Sequence, residues 1–171
     1  MTTEERISAV SLSAMLFKQF VCEDISKMPA VVDGNVDTSR QRKFVVSTGS
    51  IDRDGDIIDP SGWMLANYKA NPVMMFCHDY ASLPIARAVK IGVENGKLVA
   101  VFEFAKHPMA ETCLELIDGG FIRATSVGFR PIKFRRAEDR DGINHIQHEL
   151  LEISLVPVPA NQDCLLQASA A

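Results

Sequence analysis

Alternation of apolar and polar residues predicts that much of the chain forms β-strands. The clearest case is the stretch 84–105, where two strand-like runs meet at Asn95 and Gly96, a residue pair that favours a two-residue hairpin turn. The even-numbered positions from Leu98 to Phe104 are all apolar, and strand side chains alternate between the two faces of a sheet. We therefore predict a β-hairpin with at least one buried face in this stretch.

The remaining elements complete a chain that is predicted to be mostly β with a few helices (α+β). Apolar or β-branched runs predict further strands, and apolar residues at helical spacing predict two helices. In chain order these are a strand from Lys43, a short helix capped by Ser61 and ended by Pro72, a buried strand within 72–79 that ends at or just before His78, a helix over 107–118, a strand around Ser126 and a long strand over 145–156.

The first 42 residues have a different pattern. Apolar residues at helical spacing predict an N-terminal helix, and Glu4 and Glu5 stand where a secretory signal would need positive charge, so we do not expect an export signal. From Glu23 the chain turns polar and irregular, which predicts a long loop. We predict a helix and loop over 1–42, a β-domain over 43–166 and a frayed tail over 167–171.

Composition narrows the function classes. With 171 residues, of which 47% are hydrophobic, the chain suits one well-cored domain. A formal net charge of -4 gives no electrostatic case for binding nucleic acid or an anionic membrane, so we expect neither as a partner. The four cysteines are far apart and show no CxxC spacing, which favours reduced thiols over a zinc site or a disulfide framework.

Four aspartates, at positions 52, 54, 56 and 59, crowd into the segment IDRDGDIIDPSG and suggest a calcium-binding loop. The glycine comes too early for an EF-hand, and the twelfth position counted from Asp52 is Trp63, where a bidentate glutamate would be needed. An aspartate-rich turn without metal is therefore the preferred interpretation, and a calcium-binding β-module is the alternative.

Ser126 is the candidate nucleophile. In the segment GGFIRATSVGFRP, period-two alternation places Ser126 and Gly128 on a strand face of small residues, where another chain could lie against the hydroxyl. Serines on strands are more often solvated or bonded to nearby backbone, so the assignment needs a base. His78 supplies a candidate because it lies at the end of a buried strand or just past it. Adjacent Cys77 is predicted to point to the opposite face.

Glu152 is a carboxylate inside the apolar segment LEISLVPV. A lone buried carboxylate is costly, so Glu152 is predicted to have a partner. That partner could be a catalytic imidazole or an arginine such as Arg123 or Arg130, and the sequence leaves both open. His148 lies four residues earlier and would share a face with Glu152 on a regular strand.

These motifs together resemble the prohead protease family of tailed bacteriophages of the HK97 type. The resemblance rests on IDRDGDIIDPSG, the strand ending in His78, GGFIRATSVGF and LEISLVPVPAN in this order, and it covers residues 43–166. It implies an antiparallel β-barrel of the herpesvirus-protease type with a few surrounding helices. It also implies a serine endopeptidase, without a cofactor, that works inside the procapsid in the host cytoplasm. The implied substrates are the major capsid protein with its scaffold (delta) segment and the protease itself, which would cleave its own chain. The resemblance further implies that the protease forms homo-oligomers.

Carried over to this sequence, the family's catalytic histidine is His78 and its serine is Ser126. The resemblance and the burial argument both favour Glu152 as the third member, whereas the herpesvirus enzymes use a second histidine, for which His148 is the candidate. Backbone amides of a neighbouring loop, assisted by Arg123 or Arg130, are expected to stabilise the oxyanion. The alternative function is a non-enzymatic capsid-assembly scaffold protein with the same fold.

Overall fold

A computed structural model describes residues 21–22, 24–27, 30–31 and 36–167. The predicted N-terminal helix and residues 168–171 of the predicted tail lie outside the described residues. Among the described residues, no helix is long and apolar enough to cross a membrane.

The described secondary structure consists of strands, two α-helices and short 3₁₀ turns. The strands are β1 (Val21–Cys22), β2 (Gln41–Ser47), β3 (Ile57–Ile58), β4 (Trp63–Met64), β5 (Val73–Phe76), β6 (Ala86–Glu94), β7 (Lys97–Phe104), β8 (Ala124–Arg136) and β9 (Ile143–Val156). The helices are α1 (Ala66–Ala70) and α2 (Pro108–Asp118). The 3₁₀ turns are Ile25–Lys27, Thr38–Arg40 and Pro60–Gly62. The chain is thus mostly β with a few helices, which confirms the predicted class.

The predicted hairpin and the predicted helix over 107–118 are both present. Asn95 and Gly96 form the turn between β6 and β7, with φ angles of 50° and 73°. The predicted short helix after Ser61 is wrong in detail, because Asp59 caps a 3₁₀ turn that leads into β4 before α1 begins. The residues before Lys43 that are described also contact the sheet, since β1 pairs with β6 and Ile25 is buried.

The strands form one curled, half-barrel sheet in the order β2-β7-β6-β5-β9-β3, with β4 and β8 also paired to β9 and β1 to β6. The expected antiparallel β-barrel is therefore wrong in this detail, because the sheet is a half-barrel and not a closed antiparallel barrel. The sheet is mixed, because β3, β4 and β5 all run parallel to β9. Side-chain alternation specifies faces and not strand direction, and the chain between β5 and β9 is long enough for a parallel connection.

The C-terminal segment 164–167 lies between β2 and β8 and hydrogen-bonds to both. The amide of Val45 donates to the carbonyl of Leu165 at 3.0 Å, and the amide of Thr125 donates to the carbonyl of Cys164 at 3.0 Å. The Thr125 hydroxyl donates to the carbonyl of Val45 at 3.0 Å. These bonds fix the start of β8, immediately before Ser126.

The core is one apolar cluster built from most of the strands and both helices. Phe44 and Phe102 meet edge to face with ring centroids 6.1 Å apart, and α2 contributes Cys113 and Ile117 to the same apolar cluster. Burial of these side chains stabilises the sheet, and the long strands β8 and β9 extend from this core as the platform of the candidate site.

Candidate active site

Strands β8 and β9 bring four small or polar residues onto one face. Their register pairs Ser126 with Ser154 and Gly128 with Glu152. Residues directly opposite each other in an antiparallel pair lie on the same face, with Cβ atoms about 4.5–5.5 Å apart. Ser126 is half-buried, and no described residue forms a hydrogen bond with its hydroxyl. The predicted small-residue face therefore exists, and Ser126 and Glu152 both lie on it.

His78 reaches this face from β5. β5 runs parallel to β9 with Phe76 opposite Leu155, and the turn after Phe76 brings the amide of His78 to the Ser154 hydroxyl. Cys77 and His78 form a turn in which both residues have left-handed backbone, with φ angles of 52° and 57°. His78 thus lies just past the strand, as predicted. The prediction that the side chains of Cys77 and His78 point to opposite faces rests on strand alternation, which does not apply in this turn.

The left-handed turn is unfavourable for side chains with a Cβ, so it persists only where other bonds fix it. The amide of Cys77 donates to the carbonyl of Leu155 at 3.0 Å, and the amide of Asp79 donates to the carbonyl of Phe76 at 3.1 Å. The amide of His78 donates to the Ser154 hydroxyl at 3.0 Å. The turn that carries the imidazole is therefore anchored to β9.

His78 and Glu152 are directly bonded. The distance between His78 Nδ1 and Glu152 Oε1 is 2.6 Å, and the Glu152 side chain is almost completely buried. The other carboxylate oxygen, Oε2, accepts a hydrogen bond from the Ser154 hydroxyl at 2.7 Å. The buried carboxylate thus has an imidazole as its partner and not an arginine. Because Nδ1 is occupied, the imidazole has Nε2 left for a second group.

Gly128 leaves the space that Glu152 fills. A Cβ added to Gly128 would lie 2.4 Å from Glu152 Oε1 and 3.1 Å from the Tyr80 hydroxyl oxygen. Burial, together with the nearby Glu152 carboxylate, raises the pKa of the Tyr80 hydroxyl, and it raises the pKa of the Tyr68 hydroxyl well above its usual value. The glycine is therefore needed for the carboxylate to lie across β8.

The alternative third member, His148, lies elsewhere. The register shifts where Gly128 faces Glu152 but Phe129 faces Leu150, so β9 carries one extra residue, Leu151. Because of this extra residue, His148 and Glu152 do not share a face although they are four residues apart. His148 is fully buried, with its ring edge-on to Trp63 at 4.1 Å, and neither ring nitrogen forms a hydrogen bond with a described residue. The structure brings Glu152, and not His148, to His78.

The environment of His148 makes a prediction for stability. Burial first, and repulsion by His145 second, lower the pKa of His148 from 6.5 to about 4, although Asp59 partly opposes this. Above pH about 6.5, the pKa of His148 in the unfolded chain, His148 is neutral in both states and the folded chain keeps its full stability. Between pH about 6.5 and about 4, His148 is protonated in the unfolded chain but stays neutral in the folded chain. This difference lowers the free energy of unfolding by about 3 kcal/mol.

Urea denaturation across this pH range measures the effect. A His148→Leu variant, which keeps an apolar side chain of similar size in the site, should lose stability less steeply than the parent as the pH falls. The other histidines and the carboxylates are common to both proteins and cancel in the comparison. Parallel pH dependences for parent and variant would show that His148 is not held neutral by the fold.

The two arginines expected at the oxyanion do not contact Ser126. Arg130 forms an ion pair with Glu149, and Glu149 also accepts a hydrogen bond from Asn67. The Arg123 side chain is exposed, and the backbone carbonyl of Arg123 accepts a hydrogen bond from the amide of Leu166. The role of these arginines stays a prediction.

The aspartate-rich segment forms a turn. Asp52 Oδ1 accepts hydrogen bonds from the amides of Asp54 and Asp56, and Asp56 in turn binds the amide of Ile143 and the ring of His145. Within the described ranges no three or more His, Cys, Asp or Glu residues form a group that could hold a metal ion. The carboxylates serve here as acceptors for backbone and imidazole groups.

A cavity of about 190 Å³ borders Ser126 and is also lined by Val127, Asp52 and Asn161. A larger cavity of about 660 Å³ lies between Asp59 and Arg135 and includes none of the three candidate catalytic residues. The bonded pair of His78 and Glu152, and not cavity size, therefore marks the site.

Ser154 was overlooked by the sequence analysis. It is fully buried and bonded both to the amide of His78 and to the carboxylate of Glu152. The signal was present, since Glu152 and Ser154 are polar residues two apart within an apolar strand and so share a face. Tyr80 carried no such signal, because it reaches Gly128 from an irregular loop.

The chain is similar to proteins of tailed bacteriophages. The Prohead protease of Escherichia phage T5 is 33% identical over 121 residues, covering 68% of this chain and 57% of that protein. The Capsid polyprotein of Pseudomonas phage PAJU2 is 27% identical over 137 residues, covering 76% of this chain but 20% of that protein. The chain thus spans only part of the length of these relatives. No solved structure matches the chain.

The family match covers all four residues of the candidate site. Residues 49–171 match the family described as Caudovirus prohead serine protease, and this range contains His78, Ser126, Glu152 and Ser154. A family match over most of the chain, together with an imidazole bonded to a carboxylate beside a serine-bearing strand, leads to one conclusion: the chain belongs to the Caudovirus prohead serine protease family.

Proposed function

We propose that this protein is a serine endopeptidase of procapsid maturation, with Ser126 as nucleophile, His78 as general base and Glu152 as the residue that orients the base. The observation that carries the proposal is the 2.6 Å bond between His78 Nδ1 and Glu152 Oε1 on the face that also holds Ser126. Family membership and the names of the two phage relatives support the setting. We further propose that it acts inside the procapsid, in the host cytoplasm, on the capsid protein with its scaffold segment and on itself.

The geometry supports a two-step acyl transfer. His78 Nε2 accepts the proton of the Ser126 hydroxyl as the oxygen attacks the scissile carbonyl carbon. The imidazolium then gives that proton to the leaving amine, and an acyl-enzyme remains. A water molecule activated by the same nitrogen hydrolyses the ester and restores Ser126. Throughout, Glu152 holds the Nδ1 proton and stabilises the positive charge that forms on the ring.

Stabilisation of the oxyanion would come from backbone amides near Ser126, with Arg123 or Arg130 assisting. Arg130 would have to leave Glu149 to contribute, whereas the exposed Arg123 side chain has no such bond to any described residue. An HK97-type delta segment as substrate and a homo-oligomeric enzyme are part of the same proposal. The alternative function is a non-enzymatic scaffold that binds capsid protein through the same fold.

Co-expression with the major capsid protein of the same genome tests the proposal directly. We expect intact mass measurement to show a capsid protein shortened at one peptide bond, together with fragments of the protease. A capsid protein that copurifies with this chain but keeps its full mass would favour the non-enzymatic scaffold. Intact capsid protein without copurification would reject both functions.

The close approach at Gly128 allows a sharp test of the bonded pair. A Gly128→Ala methyl would overlap Glu152 Oε1 and force the carboxylate away from His78. We expect cleavage of a capsid-derived peptide to slow by about a hundredfold or more, because small displacements of catalytic groups have large effects on rate. We also expect a loss of about 1–3 kcal/mol in the free energy of unfolding from overpacking.

Gly49→Ala is the matched control, because a Cβ there would meet Pro60 at an ordinary distance of 3.5 Å and the residue is exposed. This variant should cleave at the parental rate. Equal rates for the two alanine variants would mean that the position of Glu152 does not matter for cleavage.

A further inference from the structure

Ser154 connects the two bonded partners of the site, His78 and Glu152. Its hydroxyl oxygen accepts a hydrogen bond from the amide of His78 at 3.0 Å, and its proton is donated to Glu152 Oε2 at 2.7 Å. We propose that Ser154 is a positioning residue, which fixes both the backbone that carries the imidazole and the carboxylate that orients it. This inference rests on the proposed serine protease activity.

The bond to the backbone matters because the turn is strained. The backbone amides of residues 77, 78 and 79 anchor the turn. Those of Cys77 and Asp79 donate to backbone carbonyls, which are present whatever residue stands at the acceptor position. Only the amide of His78 depends on a side chain for its acceptor. Without the Ser154 hydroxyl this amide would lose its partner, and the left-handed backbone of His78 would lose one of the bonds that hold it.

The bond to the carboxylate fixes its rotation. Glu152 Oε2 accepts from Ser154 while Oε1 faces His78, so each oxygen of the buried carboxylate has one assigned partner. A hydrogen bond to a charged group is stronger than one between neutral groups, and its geometry is correspondingly well defined. If Ser154 is removed, the carboxylate can rotate and the imidazole loses its fixed orientation.

Ser154 also lies directly opposite Ser126 in the β8–β9 pair. The residue that holds the imidazole and the carboxylate is therefore the cross-strand neighbour of the nucleophile, with Cβ atoms about 4.5–5.5 Å apart. A fully buried serine could instead serve packing alone. That role would predict no change in the His78–Glu152 bond when the hydroxyl is removed.

The test uses Ser154→Ala and two readouts. In the first, kcat for a capsid-derived peptide should fall by about ten- to a hundredfold, as expected for loss of a hydrogen bond to a charged group, with KM nearly unchanged. In the second, proton NMR follows the downfield resonance of the His78 Nδ1 proton in its bond to Glu152. This resonance should shift or broaden, which a purely structural role would not cause.

Two further variants act as controls. Ser47→Ala removes another buried serine hydroxyl, one that has no hydrogen-bond partner among the described residues, and it should change neither readout. Ser154→Cys keeps a side chain of similar size with a weaker donor and acceptor, and it should give an intermediate kcat. If Ser154→Ala fails to fold, Ser154→Cys still distinguishes an intermediate effect from none.

Failure of this inference differs from failure of the proposed function. An active parent with unchanged kcat and an unchanged resonance in Ser154→Ala would overturn the positioning role and leave the protease intact. A parent that cleaves nothing would overturn the protease. In that case the resonance alone would decide whether Ser154 positions the bonded pair.

Discussion

Replacing Ser126 with alanine is expected to abolish cleavage of the capsid protein and of the chain itself while leaving the fold intact. The side chain is half-buried on a face of small residues and forms no hydrogen bond with a described residue, so its loss should change the free energy of unfolding by about 1 kcal/mol or less. Loss of a nucleophile that acts with a bonded base should reduce kcat on the order of a millionfold. Co-expression and intact mass measure the cleavage, and thermal unfolding measures the fold.

Cys77→Ser is the matched control for this experiment. Cys77 lies next to His78 and is exposed, but partial desolvation of its thiol raises the pKa above the ordinary value, so the thiol is mostly protonated at neutral pH. Cys77→Ser should therefore cleave at nearly the parental rate. Persistent cleavage by Ser126→Ala, with stoichiometric inactivation by an alkylating reagent bound to Cys77, would make the cysteine the nucleophile.

Much of the site could be predicted because its residues break local patterns. Glu152 is a charge in an apolar strand, His78 follows a buried run, and Ser126 lies on a face of small residues. A residue that breaks its local pattern, such as a buried charge, has a free-energy cost that a partner must offset. The three residues were therefore candidates to be each other's partners. The structure supplies one of these pairings, between His78 and Glu152, directly.

The remaining features depend on strand pairing, which side-chain periodicity does not specify. The parallel run of β5 beside β9 places His78 next to Ser154, and no residue pattern within either strand shows that direction. The extra residue at Leu151 is also invisible in the sequence, although it separates His148 from the face of Glu152. Ion pairing of Arg130 with Glu149 likewise depends on that register.

The partner of His78 can be tested by removing charge and keeping shape. Glu152→Gln retains a side chain of the same length but cannot stabilise the imidazolium, and its amide can present the wrong group to Nδ1. By analogy with an orienting aspartate changed to an amide in a serine protease, we expect kcat to fall by about ten-thousandfold. The measurement is the rate of cleavage of a capsid-derived peptide, with circular dichroism to check the fold.

Two controls separate this effect from general damage to β9. Glu149→Gln makes the same chemical change at another buried carboxylate of β9, whose partners are Arg130 and Asn67, and it should cost far less activity. His148→Gln places an amide among Trp63 and Phe129, so it should lower stability while the folded fraction keeps its kcat. An inactive His148→Gln beside an active Glu152→Gln would instead assign the third catalytic position to a histidine, and the 2.6 Å bond to Glu152 would then be only structural.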